Sequence, residues 1–194
     1  MRLAALLLCL SCTPQLATAQ DAAPAAATAL APRARVVTTA GNFVIELDKT
    51  RAPLTVEAFL KYVDQGFYSG VIFHRVVAGF IAQTGGFAAD MTQKEVTAPI
   101  FNESGNGLSN LRGTVGFARS NEPHTGTSQF YINLADNIDL NPRPTRWGYA
   151  VFGKVVEGME VVDDIGHRPT AGGGPFDRNV PVEPIVVERI ELIE

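Results

Sequence analysis

The run from Phe73 to Gln83 constrains this chain more than any other segment. β-Branched and aromatic residues stand on both sides of Ala78-Gly79, which predicts two short strands joined by a tight turn. Arg75 lies two positions from Phe73, and Gln83 two from Ile81. Strand alternation then predicts that each polar side chain shares a sheet face with an apolar neighbour. A charged side chain is rarely buried without a partner, and no carboxylate lies near Arg75 in sequence. A cationic fork beside an apolar hollow suits polarising a neutral amide better than holding a phosphate.

The same punctuation recurs along the chain. Val36–Thr39 and Phe43–Leu47 flank Ala40-Gly41-Asn42, which predicts a second hairpin turning at Gly41-Asn42. Gly113–Arg119, Thr127–Asn133, Trp147–Val156 and Ile185–Ile193 read as further strands. Two segments break the pattern. Val56, Phe59, Leu60 and Val63 fall on one helical face between Pro53 and Gly66, residues suited to a helix start and exit. Met159, Val162 and Ile165 predict a shorter helix over residues 157–165, stopped by Gly166. Residues 86–113 are rich in Gly, Asn, Ser and Thr; so long an irregular segment in a compact domain usually wraps or forms a functional site. Many short strands, Gly-rich turns and only two helices indicate an antiparallel barrel or sandwich. Closure is favoured, because a chain without disulfides must protect its strand edges.

Arg2, the apolar stretch Leu3–Leu10 and Ala17-Thr18-Ala19 have the form of an export signal cleaved before Gln20. Residues 1–19 are therefore set aside as a leader. Residues 20–35 are Ala- and Pro-rich with almost no large apolar side chains and read as a flexible tether. Residues 36–194 are the size of one domain. The apolar stretch is too short to span a bilayer, and nothing later is longer, so no integral membrane segment is expected. Both cysteines, Cys9 and Cys12, have the C-x-x-C spacing of redox and metal sites, but their place in the leader favours a plain signal reading. Cys12 is also a candidate for lipid anchoring, although Cys9-Leu10-Ser11 matches acylated signals poorly. The formal charge of −4 becomes −5 once Arg2 is removed, and no two Lys or Arg are adjacent. That argues against nucleic acid as the principal partner.

No G-x-S-x-G, H-E-x-x-H or P-loop signature is present. His74 is expected to face away from Arg75 as a structural residue, and His124 and His167 to be solvated in polar loops. Phe80, Ile81, Phe130, Tyr131, Leu140 and Tyr149 read as core when taken alone. Their co-occurrence with Arg75, Gln83 and Gln129 on neighbouring predicted strands turns them into a candidate ligand pocket.

Phe73–Val76, Gly79–Gln83, Thr127–Ile132 and Val151–Val155 together resemble the cyclophilin peptidyl-prolyl cis-trans isomerases. The resemblance runs from about Val37 to the C-terminus, and the 133–137 and 147–150 segments look most like the bacterial periplasmic branch. It implies a closed eight-stranded antiparallel β-barrel capped by two α-helices, with the active site on its outer face, no metal and no cofactor. Arg75 would donate to the prolyl nitrogen. Gln83 would bond the substrate carbonyl side, helped by the backbone at Ala118 and Arg119. Phe80, Ile81, Tyr131 and Leu140 would hold the proline ring, with Gln129 and Tyr149 at the rim. The implied partners are unfolded or loop-exposed proline-containing polypeptides, met by a monomer in the periplasm. Departures from the family pattern are Ile81 for Met, Tyr131 for Phe, Tyr149 for His, and Thr84 for a Gly, expected to stiffen a turn. Asp139 stands at the position of a Trp associated with cyclosporin affinity, so cyclosporin binding is expected to be weak. Two other readings are a proline-segment-binding chaperone or interaction module on the same fold, and a purely structural barrel, which the retained polar pair disfavours.

Overall fold

The computed structural model describes residues 31–193. The expected leader, the Cys9 and Cys12 pair and most of the expected tether lie outside the described residues. The elements in chain order are β1 (Arg33–Thr38), β2 (Gly41–Leu47), α1 (Pro53–Asp64), β3 (Val71–Ile72), β4 (Arg75–Val77), β5 (Ile81–Thr84), β6 (Thr114–Phe117) and β7 (Phe130–Asn133). A 3₁₀ turn (Ile138–Leu140), β8 (Val151–Glu157), α2 (Met159–His167), β9 (Thr170–Gly173), β10 (Phe176–Pro181) and β11 (Val186–Ile193) follow.

Nine strands form one curled antiparallel sheet in the order β3-β11-β1-β2-β8-β6-β7-β5-β4, and β9 and β10 form a separate ribbon. Of the closed eight-stranded barrel with two helices expected from sequence, the structure shows the mostly-β architecture and both helices, as a curled half-barrel sheet of nine strands whose ends share no ladder. The two edge strands, β3 and β4, follow one another in the chain but share no ladder. The donors at this seam are used elsewhere: Ile72 N bonds Phe87 O at 2.9 Å and Phe73 N bonds Ile185 O at 3.0 Å. Thr84 Oγ1 donates to Ile72 O at 2.9 Å and so stitches the seam. Thr84 is a buried strand residue paired with Phe130, not part of the turn expected to be stiffened.

Alternation sends Val36, Phe43, Ile45, Val76, Ala82, Val115, Phe117, Phe130, Ile132 and Phe152 inward. Helix α1 adds Val56, Phe59, Tyr62 and Val63 to this core, and α2 adds Val162 and Ile165. Phe59 packs against Tyr68, Phe130 and Phe152 with ring centroids 5.4–5.5 Å apart. The start of α1 has no local side-chain cap. Its orphan N–H groups are met by Glu103, whose carboxylate accepts from Leu54 N at 3.1 Å and Thr55 N at 2.8 Å. A loop residue 48 positions away thus anchors the helix. No described helix is long and apolar enough to cross a membrane.

Several boundaries differ from the sequence reading. β1 starts at Arg33, inside the expected tether, because Arg33 pairs with both Ile193 and Glu46 and its guanidinium bonds Glu46 Oε2 at 3.0 Å. The first hairpin turns at Thr39-Ala40, not Gly41-Asn42, since Thr38 pairs with Gly41. Trp147–Ala150 are not strand; Tyr149 N bonds Leu140 O at 2.9 Å instead. Helix α2 runs through Gly166 to His167. That glycine is needed for close approach: a Cβ there would lie 2.7 Å from Leu134 Cδ1. The ribbon of β9 and β10 was not anticipated.

Candidate active site

Pairing across four strands sets one row of residues opposite each other: Arg75 with Gln83, Gln83 with Tyr131, and Tyr131 with Gly116. Their neighbours Val76, Ala82, Ile132 and Val115 belong to the core, so the row lies on the outer face. Phe73 breaks the expectation made for it. It is buried in the core, and the irregular step at Phe73-His74 between β3 and β4 puts it on the opposite side from Arg75. Ile81 does share the outward phase of Gln83 and is buried outside the core cluster.

Arg75 is half-buried and donates from Nη1 to Gln83 Oε1 at 3.3 Å. Gln83 passes the relay on, donating from Nε2 to Gln129 Oε1 at 2.9 Å. Desolvation pushes the Arg75 pKa down from its ordinary value, and the like charge of Arg178 acts in the same direction. Arg75 has no carboxylate partner among the described residues. A guanidinium carries five N–H donors, so most of them remain available to a ligand.

Tyr131 packs directly against Gly116, where a Cβ would come within 2.3 Å of Tyr131 Cζ. Its hydroxyl, whose partner sequence could not name, donates to Asn110 Oδ1 at 2.7 Å. Burial raises the phenol pKa well above the ordinary tyrosine range, so it stays a donor. Asn110 is fully buried and also receives Asn133 Nδ2 at 3.2 Å, while its own Nδ2 donates to Asn141 Oδ1 at 3.1 Å. The irregular 86–113 segment therefore does reach this face. Asn110 was missed because a lone loop asparagine carries no periodic signal.

Tyr149 meets Tyr131 edge-on at 6.0 Å, and the Arg119 guanidinium covers the Tyr149 ring at 4.4 Å. The Arg119 side chain also donates to the carbonyls of Gly148 at 3.1 Å, Trp147 at 2.9 Å and Ser120 at 2.8 Å. Its neighbour Ala118 is held by a bond from its N–H to Gln129 O at 2.9 Å. Phe80 follows Gly79, whose φ of 66° closes the predicted turn through Phe80 N to Val77 O at 2.9 Å. Phe80 and Leu140 are joined by Asn137, which donates to Phe80 O at 2.8 Å and accepts from Leu140 N at 2.9 Å. These contacts link the sequence-predicted site residues along the outer face of the sheet, where Ile81 and Tyr131 are themselves buried. A hollow of about 820 Å³ elsewhere is lined by Glu46, Asp48, Arg51 and Lys154 among others and by none of these residues.

The histidines divide. His74 is buried, 2% exposed, against Phe87 at 4.7 Å and Phe176 at 5.5 Å, and its Nδ1 has no partner. Burial lowers its pKa to about 4. His124 is exposed, as expected, and it also stacks on Phe101 at 4.2 Å and accepts a bond from Asn102 N at 3.1 Å. His167 is exposed.

A profile of the family described as cyclophilin type peptidyl-prolyl cis-trans isomerase/CLD matches residues 33–192. The chain is 48% identical over 171 residues to peptidyl-prolyl cis-trans isomerase A of Dickeya dadantii, covering 88% of this chain and 90% of that protein. It is 45% identical over 157 residues to peptidyl-prolyl cis-trans isomerase B of Escherichia coli, covering 79% and 95%. In fold it is similar to the crystal structure of a Cryptosporidium parvum cyclophilin type isomerase, with a TM-score of 0.66, 24% identity, and coverage of 84% of this chain and 98% of that one. The chain belongs to the family of cyclophilin-type peptidyl-prolyl cis-trans isomerases.

Proposed function

We propose that this peptidyl-prolyl cis-trans isomerase turns X-Pro bonds on the outer face of its sheet, with Arg75 and Gln83 as catalytic residues. The observation that supports this most is the outward row of Arg75, Gln83 and Tyr131 with the Arg75–Gln83–Gln129 relay. Amide resonance sets a rotation barrier of ~18–20 kcal/mol, and X-Pro bonds left alone isomerise in tens to hundreds of seconds. In the twisted amide the prolyl nitrogen regains a lone pair. Arg75 donates to that lone pair, which exists only while resonance is lost, so its bond favours the transition state over both ground states. Gln83 Nε2 has a second N–H beyond the one given to Gln129, and this holds the carbonyl side of the substrate together with the backbone at Ala118 and Arg119. Phe80, Ile81, Tyr131 and Leu140 seat the proline ring, and Gln129 and Tyr149 border it. No proton moves and no covalent bond to the protein forms.

The leader pattern in residues 1–19 supports export, with the mature protein acting as a monomer in the periplasm on unfolded or loop-exposed proline segments. In this reading the Thr84–Ile72 stitch lets the curled sheet work as a closed wall. The test is refolding of two clients, one limited by an X-Pro bond and one lacking proline. Acceleration of the first alone, lost in Arg75→Ala, is the expected result. Equal help to both would replace the isomerase reading with a chaperone.

A further inference from the structure

Phe101, His124 and Trp147 form an aromatic cluster that the chemistry above leaves unused. Phe101 stacks on the His124 ring at 4.2 Å with an interplanar angle of 15°. Trp147 meets both rings edge-on, at 5.8 Å from Phe101 and 4.9 Å from His124. The arrangement is built from beneath. Asn102 N donates to His124 Nδ1, and Asn102 Nδ2 donates to Pro123 O and Gly148 O at 3.0 Å each. Three separate loops are pinned together to present these rings. Yet Phe101 is 56% exposed and Trp147 42% exposed, and a contiguous open apolar patch of this kind marks a contact surface more often than a single exposed residue does.

The cluster is continuous with the candidate active site. Arg119 bonds the carbonyl oxygens of Trp147 and Gly148 while its guanidinium covers Tyr149. One side chain therefore touches both surfaces.

We infer that Phe101, His124 and Trp147 are a remote subsite that receives an aromatic or large aliphatic side chain of the substrate, on the N-terminal side of the X-Pro bond. The inference rests on the reading that Gln83 and the Ala118-Arg119 backbone hold the X-side carbonyl. A chain leaving that edge toward its N-terminus meets the Arg119–Trp147 junction. Extended peptide advances about 3.3 Å per residue, which puts the bound side chain about two to four residues before the proline. Ring faces and edges suit an aromatic partner, and the subsite selects segments that are hydrophobic as well as proline-containing.

Trp147 is the sole tryptophan of the chain, so its emission reports on this surface directly. The experiment titrates the protein with two peptides sharing one X-Pro centre, carrying either Phe or Ala three residues before the proline. The Phe peptide is expected to show a KM about tenfold lower at similar kcat, with a Trp147 emission shift over the same concentrations. Phe101→Ala should abolish the preference and leave turnover of the Ala peptide unchanged. Equal KM values for the two peptides on the wild type overturn the inference without recourse to any variant. A preference that survives in Phe101→Ala overturns it too. Failure of the underlying reading looks different: Arg75→Ala would then turn over both peptides as the wild type does, while the Trp147 titration would still report whether the Phe side chain binds.

Discussion

Replacing His74 with Phe should remove an acid weakness from the fold. The His74 imidazole sits 2% exposed between Phe87 and Phe176, with an unpartnered Nδ1. Burial holds its pKa at about 4 in the fold, below an ordinary value of 6.5. The fold therefore refuses a proton that the unfolded chain accepts. The stability involved is complete above the unfolded value and is lost as pH falls from there toward the folded one. At a pH of about 4.5 the loss is about 2.5 kcal/mol, from ~1.36 kcal/mol per pKa unit. In a domain of this size that corresponds to roughly 5–10 °C in Tm. His74→Phe keeps a ring in the same stack and removes both the titration and the unpaired nitrogen. Parallel urea melts of wild type and variant between pH about 7.5 and about 4.5 read the effect. Glu46 and Glu191, whose pKa values are lowered by hydrogen bonds to Arg33 and Arg189 respectively, titrate in both proteins and cancel in the difference. The variant should gain on the wild type by about 2.5 kcal/mol across that range. Stability curves that stay parallel would refute the assignment of a neutral, buried His74.

Other consequences can be read from single contacts. Gly116→Ala would put a methyl group 2.3 Å from Tyr131 Cζ, so the ring must shift and its bond to Asn110 break; melts should show a loss of roughly 1–3 kcal/mol and peptide kinetics a raised KM. Glu103→Gln removes the carboxylate that caps α1, and urea melts should show about 1 kcal/mol lost with kcat/KM unchanged. Cyclosporin should bind weakly, since the exposed Asp139, bonded to Arg143, replaces an apolar ring. Calorimetry giving a submicromolar Kd would contradict that.

Local pattern carried the sequence reading as far as elements repeat in simple periods. Val56, Phe59 and Val63 on α1, and the Ala78-Gly79 turn between β4 and β5, announce themselves through spacing alone. Phe73 did not, because alternation assumes one unbroken strand and the chain steps sideways at Phe73-His74. Gly166 resembles a helix stop until Leu134 is seen pressing on it. The ribbon of β9 and β10 buries only Val180 and Pro181 and runs through three consecutive glycines, Gly172–Gly174, so no apolar alternation marks it. Asn110 under Tyr131 and Glu103 at α1 act over long sequence separations, and only the folded chain brings each to its partner. The polar pair of Arg75 and Gln83 was legible because two strands of a tight hairpin fix their register.

The proposed rotation of X-Pro bonds requires Arg75 to grip the amide only while it is twisted. On-enzyme cis-trans exchange of a saturating X-Pro peptide, followed by NMR together with the peptide Kd, tests this in wild type and Arg75→Ala. Exchange should slow on the order of 100-fold while Kd moves by less than about threefold. Unchanged exchange, or a loss confined to Kd, would contradict it.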